Sequence, residues 1–373
     1  MLPAAPKTLG RLSDVFISAL GSITGKENRL GFSTVNRACV ILVDGLGSEN
    51  LRAASGHAPF LNSTLKASKS INTVFPSTTA SAITSFGTGL KPSQHGIHGY
   101  SIFDRQAGVV RNMLTGWNED ASPQEYQPHP TVAMQAASAG VQTYTVGPAE
   151  YEATGFTVLN MRGSKYLPAK TFEDRVIETR KLLNAKSKSL TYLYFPELDS
   201  TAHAFGVEST EWLNKLEELD FAMRTLTADV PTEAGLVLTA DHGIVDVARD
   251  DQILLDEFDL PGLISVSGDP RNSFLYFDSG MAVSAAIEAL SGPLEGKCFI
   301  ATAAEVIEKG WLGPHEVSNR RFLPDLYLIS NGNYACYHRG FAKPQSLRMI
   351  GQHGGISTSE LSVPLLKFGG YRG

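Results

Sequence analysis

The sequence predicts an α/β protein: a three-layer αβα sandwich around a mostly parallel sheet. Three observations lead there. Short apolar runs alternate with stretches of helical periodicity, the pattern of parallel strands joined by helices. The runs are continuously apolar rather than alternating, as strands covered on both faces must be. Three of them run into an aspartate, Asp44, Asp199 and Asp241, at the end of the strand where open α/β sheets hold their ligands.

The elements follow in order. "RACVILVDG" (37–45) is the first buried strand, and a helix is expected near 49–67. "INTVF" (71–75) reads as a strand. "PSTTASAITSFGTGL" then opens a helix with a proline, hydroxyl residues able to cap, and small and apolar residues behind them. Between 101 and 170 the pattern loosens, with "SPQEYQPHP" as a linker, a helix at 131–139 and a strand at 141–147. An amphipathic helix at 171–186 leads to a strand at 190–199, a long helix at 209–229 and a strand at 235–243. Residues 250–340 mix short strands and helices, and "SVPLLKFGG" (362–370) reads as the last strand. With no internal repeat, the chain reads as one catalytic domain over 1–373, whose segments 101–170 and 250–340 line a substrate pocket.

Composition narrows the function classes. The net charge of −6 is mild and spread out, with no Lys/Arg cluster of the kind that grips a nucleic acid backbone. Cys39, Cys298 and Cys336 are far apart and form no CxxC pair, so a disulfide framework is not expected. Cys39 lies in an apolar run as a core thiol, and a reducing compartment, the cytoplasm, is the expected location. The first residues lack the continuous apolar stretch of a secretion signal, and no run approaches the roughly 18 apolar residues of a membrane span.

The residues at the strand ends carry chemistry. "DSTAH" spaces Asp199 and His203 four apart, on one face of a helical turn, and "DH" sets Asp241 beside His242. "GQHGG" puts His353 in a glycine-flanked loop, and Asp44 adds a further carboxylate. Three aspartates and three histidines suit two divalent cations, with zinc favoured and manganese as the alternative. A pair of metals is the usual clamp for displacement at phosphorus. The nucleophile should stand where a strand passes into a helix, because helix amides favour a phosphate there. "FPSTTASA" is such a junction, with Ser77, Thr78 and Thr79 competing.

These motifs carry a resemblance. "VDGLG" (43–47), "FPSTTAS" with "TGLKPSQHGI" (75–97), "DSTAHAFG" (199–206), "TADHG" (239–243) and "GQHGG" (351–355) come in the order found in the alkaline phosphatase superfamily. The chain most resembles its nucleotide pyrophosphatase/phosphodiesterase family, in a compact bacterial form, over residues 37–367. The resemblance implies two zinc ions, one on Asp199, His203 and His353, the other on Asp44, Asp241, His242 and Thr79. It implies that Thr79 attacks phosphorus and forms a phospho-threonine, which water then hydrolyses. The substrate would be a small phosphoester of nucleotide type, not a nucleic acid polymer. One departure stands out: where the family has an asparagine three residues after the nucleophile, this chain has Ala82. Asn112 is a candidate to supply the missing donor, as are backbone amides near Thr79.

Each residue has an ordinary alternative. Asp44 and the Asp241–His242 pair suit turns, Asp199 suits a helix N-cap, and His203 and His353 suit solvent. Ser77 and Thr78 are expected as caps. His95 and His98 suit packing or the site wall, while His57, His129, His315 and His338 are expected at the surface. The competing functions are a phosphomonoesterase or phosphomutase of the same superfamily, and a catalytically degenerate protein that only binds nucleotides. Sulfatase chemistry is disfavoured, since no Cys/Ser-x-Pro-x-Arg segment is present.

Overall fold

The computed structural model describes residues 1–8, 10–117, 121–314 and 316–372. Strands β1 (Arg37–Val43), β2 (Gln142–Gly147), β3 (Lys165–Pro168), β4 (Ser189–Phe195) and β5 (Ala234–Thr239) are all parallel. The chain then builds a second sheet from β6 (Leu263–Asp269), β7 (Asn272–Phe277), β8 (Cys298–Thr302) and β9 (Leu326–Ser330), antiparallel throughout and ordered β6-β7-β9-β8. It returns as β10 (Leu366–Gly369), antiparallel to β5, so the main sheet runs β10-β5-β1-β4-β2-β3.

Both faces of the main sheet are covered, as the unbroken apolar runs require. All seven residues of β1 are buried. On β4, Tyr192 meets Phe16 and Phe86 from the helices Val15–Thr24 and Thr79–Thr88, which themselves stack at 4.6 Å. Phe195, of opposite parity, stacks at 5.0 Å on Phe172 of the helix Phe172–Leu183. Burying a pair of rings in this way removes several hundred Å² of apolar surface from water, at about 25 cal/mol per Å².

Several boundaries differ from the sequence reading. The helix expected at 49–67 is two helices, Ser48–Ala53 and Pro59–Lys66. Gly56 falls between them and Pro59, with no N–H to donate, can only open a new one. The strand expected at 71–75 is reduced to Ile71–Asn72, which pairs with Ser362–Val363. The expected last strand is therefore two pieces, separated at Pro364. β4 stops at Phe195, and Pro196 starts the helix Glu197–Phe205, so Asp199 lies in a first helical turn rather than on a strand. "SPQEYQPHP" is no free linker: Tyr126 stacks on Phe322 at 5.2 Å, and Gln127 Nε2 donates to Leu159 O at 3.1 Å. No helix among the described residues is long and apolar enough to cross a membrane.

Candidate metal centre

The site forms at the carboxyl edge of the parallel strands. Asp44 follows β1 directly. Gly45 turns the chain there with φ 73°, and a side chain would meet Ile244 at 2.5 Å and Asp199 at 3.1 Å. Asp241 and His242 follow β5. Asp199 and His203 sit one turn apart on the helix Glu197–Phe205, and His353 comes from the loop after Gly351–Gln352.

These six residues gather into two groups, Asp199–His203–His353 and Asp44–Asp241–His242, each with one ligand atom per residue within 4.8 Å of the others. In the first, Asp199 lies 3.4 Å from His203 Nε2 and 3.8 Å from His353 Nε2. In the second, His242 Nε2 lies 3.4 Å from Asp44 and 3.5 Å from Asp241. The His242 and His353 rings stack at 3.7 Å, which places the groups side by side.

The donor chemistry fits metal. Each Nε2 faces inward while Nδ1 is tied to a carbonyl: His203 to Gly351 at 2.6 Å, His353 to Ser77 at 3.1 Å and His242 to Gly243 at 3.3 Å. That is the usual support for a ligating imidazole. Asp44 Oδ1, Asp199 Oδ1 and Asp241 Oδ2 are buried with no hydrogen-bond partner. Orphaned carboxylate oxygens are expensive to bury, and cations between them and the imidazoles would satisfy all three. The electrostatics agree. Burial, with Asp241 and Asp199 close by, pushes the Asp44 carboxyl well up, and burial raises Asp199 and Asp241 as well. Burial and the neighbouring imidazoles push His353 well down, favouring the neutral ligand form.

Thr79 is the first residue of the helix Thr79–Thr88, all ten of whose residues are buried. Its Oγ1 lies 3.2 Å from His242 Nε2. The other two hydroxyls of the junction point elsewhere. Thr78 occupies the N-cap position, but its side chain accepts no cap bond and instead donates to Asp269 at 2.8 Å. Ser77 donates to Gly355 O at 2.7 Å. Ala82 is fully buried in the main core, so its position is an apolar packing site.

Asn112 ends the strand Val109–Asn112, and its Oδ1 accepts from the amides of Leu114 and Thr115. It lines a cavity with Asp269 and Tyr337, separate from the one Thr79 lines. His95 and His98 are fully buried and bond Ser85 Oγ and Ser318 O, which is packing. His57 pairs with Glu217 at the surface. His129 and His338 are half-buried rather than exposed, and His315 lies outside the described residues.

Three supporting residues escape a sequence reading. Tyr194 donates its hydroxyl to Asp44, yet in the sequence it is one more aromatic of an apolar strand. Arg271 and Glu360, both fully buried, pair in two contacts of 2.7 and 2.8 Å. Glu360 also accepts from Gly355 N at 2.8 Å and Ser357 Oγ at 2.6 Å, fixing the loop that carries His353.

An αβα sandwich that delivers paired carboxylates and imidazoles to one sheet edge belongs to the alkaline-phosphatase-like class of folds. Murine ectonucleotide pyrophosphatase/phosphodiesterase 5 superimposes with a TM-score of 0.67 at 18% identity, covering 88% of this chain and 87% of that one. An inactive form of the murine protein in complex with AMP gives the same TM-score over 89% of this chain. Among curated relatives, human ectonucleotide pyrophosphatase/phosphodiesterase family member 1 is 24% identical over 64% of this chain. Venom phosphodiesterase 2 of Crotalus adamanteus is 28% identical over 49%. The matches span 26% and 23% of those two proteins, so the chain covers about a quarter of their length. The type I phosphodiesterase / nucleotide pyrophosphatase family model matches residues 38–355, and the chain belongs to that family.

Proposed function

We propose that this chain is a single metal-dependent hydrolase unit that cleaves phosphodiester or pyrophosphate bonds of nucleotide-type substrates, with Thr79 as nucleophile. The observation that carries the proposal is the Thr79 hydroxyl, at a helix N-terminus and 3.2 Å from His242 Nε2 of the Asp44–Asp241–His242 group. Two zinc ions, or manganese in their place, on Asp199–His203–His353 and Asp44–Asp241–His242 would polarise the phosphoryl group and lower the pKa of a bound hydroxyl.

The chain's own groups do the rest. Thr79 Oγ1 gives up its proton and attacks phosphorus, and the ester bond opposite breaks, leaving a phospho-threonine. The first amides of the helix Thr79–Thr88 have no partner inside the helix, and with its dipole they receive the phosphoryl oxygens. They take the place of the asparagine donor that the resemblance led us to expect, a role that neither Ala82, buried in the core, nor Asn112, in the other cavity, is placed to fill. Water then cleaves the phospho-threonine.

A cavity of about 290 Å³ opens beside Thr79 and Asp44. Tyr151, Phe156, Tyr166 and Tyr192 line it, a wall on which a planar base can stack. None of its lining residues is Lys, Arg or His, which supports a diester over a phosphate dianion. The AMP complex of the murine relative supports a nucleotide-type group here. The cytoplasmic location expected from cysteine usage remains part of this proposal.

The test is turnover of p-nitrophenyl thymidine monophosphate, bis-p-nitrophenyl phosphate and p-nitrophenyl phosphate by zinc-loaded protein. Faster cleavage of the nucleotide diester, lost in Thr79→Ala, supports the proposal. Preference for the monoester points to a phosphatase or mutase, and nucleotide binding without turnover points to a binding protein.

A further inference from the structure

Two of the three cysteines meet in the second sheet. Cys298 opens β8, and Cys336 lies 38 residues on, in the strand Ala335–Tyr337. Their Sγ atoms stand 3.5 Å apart, and Ser330 Oγ lies 3.9 Å from Cys298 Sγ. The third, Cys39, is fully buried in β1. The spacing of 298 and 336 gives no reason to pair them. The sheet does: Cys298 faces Ser330 in the β8–β9 register, and the chain turns after β9 to deliver Cys336.

The two sulfurs differ in their surroundings. Cys298 is half-buried and lines an open groove of about 250 Å³ with Ser291, Glu295 and Asn331. Cys336 is only 2% exposed. The bond to Cys336 lowers the Cys298 thiol against its partial burial, and Ser330, Arg271 and Lys297 add to the lowering. The same bond, with burial, pushes Cys336 well up. Cys298 is thus the thiolate that meets solvent, with Cys336 behind it. The pair also backs the support of the metal centre. Cys336 N donates to Pro270 O at 2.6 Å, and Arg271 Nη1 donates to Tyr334 O at 2.7 Å. Arg271 in turn holds Glu360, which secures the loop that carries His353.

We propose that Cys298 and Cys336 are a reversible dithiol–disulfide pair, oxidised by a low-molecular-weight disulfide, and that the bridge locks the strand against which Arg271 and Glu360 are set. The Cys298 thiolate attacks one sulfur of the small disulfide, whose S–S bond breaks, and one thiolate leaves. Capping Cys298 removes its negative charge, the main cause that kept Cys336 protonated. Cys336 then loses its proton, attacks Cys298 Sγ and expels the second thiolate. The two protein thiols give up two electrons and two protons, and the small disulfide takes them up as two thiols. The sulfurs close by about 1.5 Å to a bond of about 2.05 Å, a movement that side-chain torsions supply.

The experiment treats folded, reduced protein with oxidised glutathione, quenches with acid, alkylates the remaining thiols and maps the peptides. Wild type should show Cys298 joined to Cys336, with Cys39 left to alkylate, and excess reduced glutathione should reopen the bridge. Cys336→Ser should stop at the first step with one glutathione on Cys298, and Cys298→Ser should take up none. The melting temperature of oxidised wild type should stand about 3–5 °C above that of the reduced protein, with no such difference in Cys298→Ser. Wild type that keeps all three thiols, or holds glutathione on Cys298 without closing, overturns the pair. Glutathione on Cys336 in Cys298→Ser overturns the order of attack. A bridge that reduced glutathione leaves intact overturns its reversibility, and a bridge without a rise in melting temperature overturns the lock.

Discussion

Glu360→Gln should be among the most damaging isosteric changes in the molecule. It keeps the shape and removes the charge. Arg271 and Glu360 are both fully buried, joined by two hydrogen bonds of 2.7 and 2.8 Å. Removing one partner strands the other's charge, at a cost of about 3–5 kcal/mol. For 373 residues the unfolding entropy is about 0.8 kcal/mol/K, so the melting temperature should fall by about 4–6 °C. Arg271→Met with Glu360→Leu should recover much of this, since no charge is left buried. The pair also has a pH signature. Burial alone would raise the Glu360 carboxyl, but Arg271, Ser357 and the Gly355 amide hold it below the usual glutamate range. Its contribution is thus full above the unfolded value, about 4.3, and is lost as pH falls through the lower folded value. Glu360→Gln should flatten that part of the curve. Thermal and urea melts across pH 3–7 measure both effects. A melting temperature within 1 °C of wild type would refute the reasoning.

Other outcomes follow from the same geometry. Thr79→Ala should cut kcat by more than about a thousandfold, while Thr79→Ser, which keeps the hydroxyl, should retain measurable turnover. Tyr194→Phe removes the hydroxyl that bonds Asp44 and should cost about tenfold in metal affinity, read by zinc titration against a chelating dye. Ala82→Asn should destabilise by about 1–3 kcal/mol without raising kcat, because its amide would be buried in the core rather than offered to substrate. Stripping metal with a chelator should abolish turnover and lower the melting temperature by about 5 °C, and zinc should restore both.

The sheet was legible in the sequence because a strand buried on both faces must be apolar throughout, and β1, β4 and β5 are. Six carboxylate and imidazole side chains were legible because strand ends and helical spacing place such groups predictably, and the structure gathers all six. Boundaries governed by proline were less so: Pro59, Pro196 and Pro364 each broke an element that periodicity alone had extended. Asn112 was nominated for its chemistry, but hydrophobicity and spacing say nothing of which cavity a loop-side amide faces. Tyr194 and the Arg271–Glu360 pair depend on partners 150 and 89 residues away, a separation no local pattern encodes.

The six gathered carboxylate and imidazole side chains begin at Asp44 and end at His353, the last supplied by a loop that Glu360 then secures. A ribosome has therefore made every side chain of the Asp44–Asp241–His242 group by residue 242, but must make almost the whole chain before the Asp199–His203–His353 group can also close. Until then, the newborn chain carries carboxylates that repel one another with nothing to reconcile them, and the supply of a divalent cation at that moment would set how much of it matures.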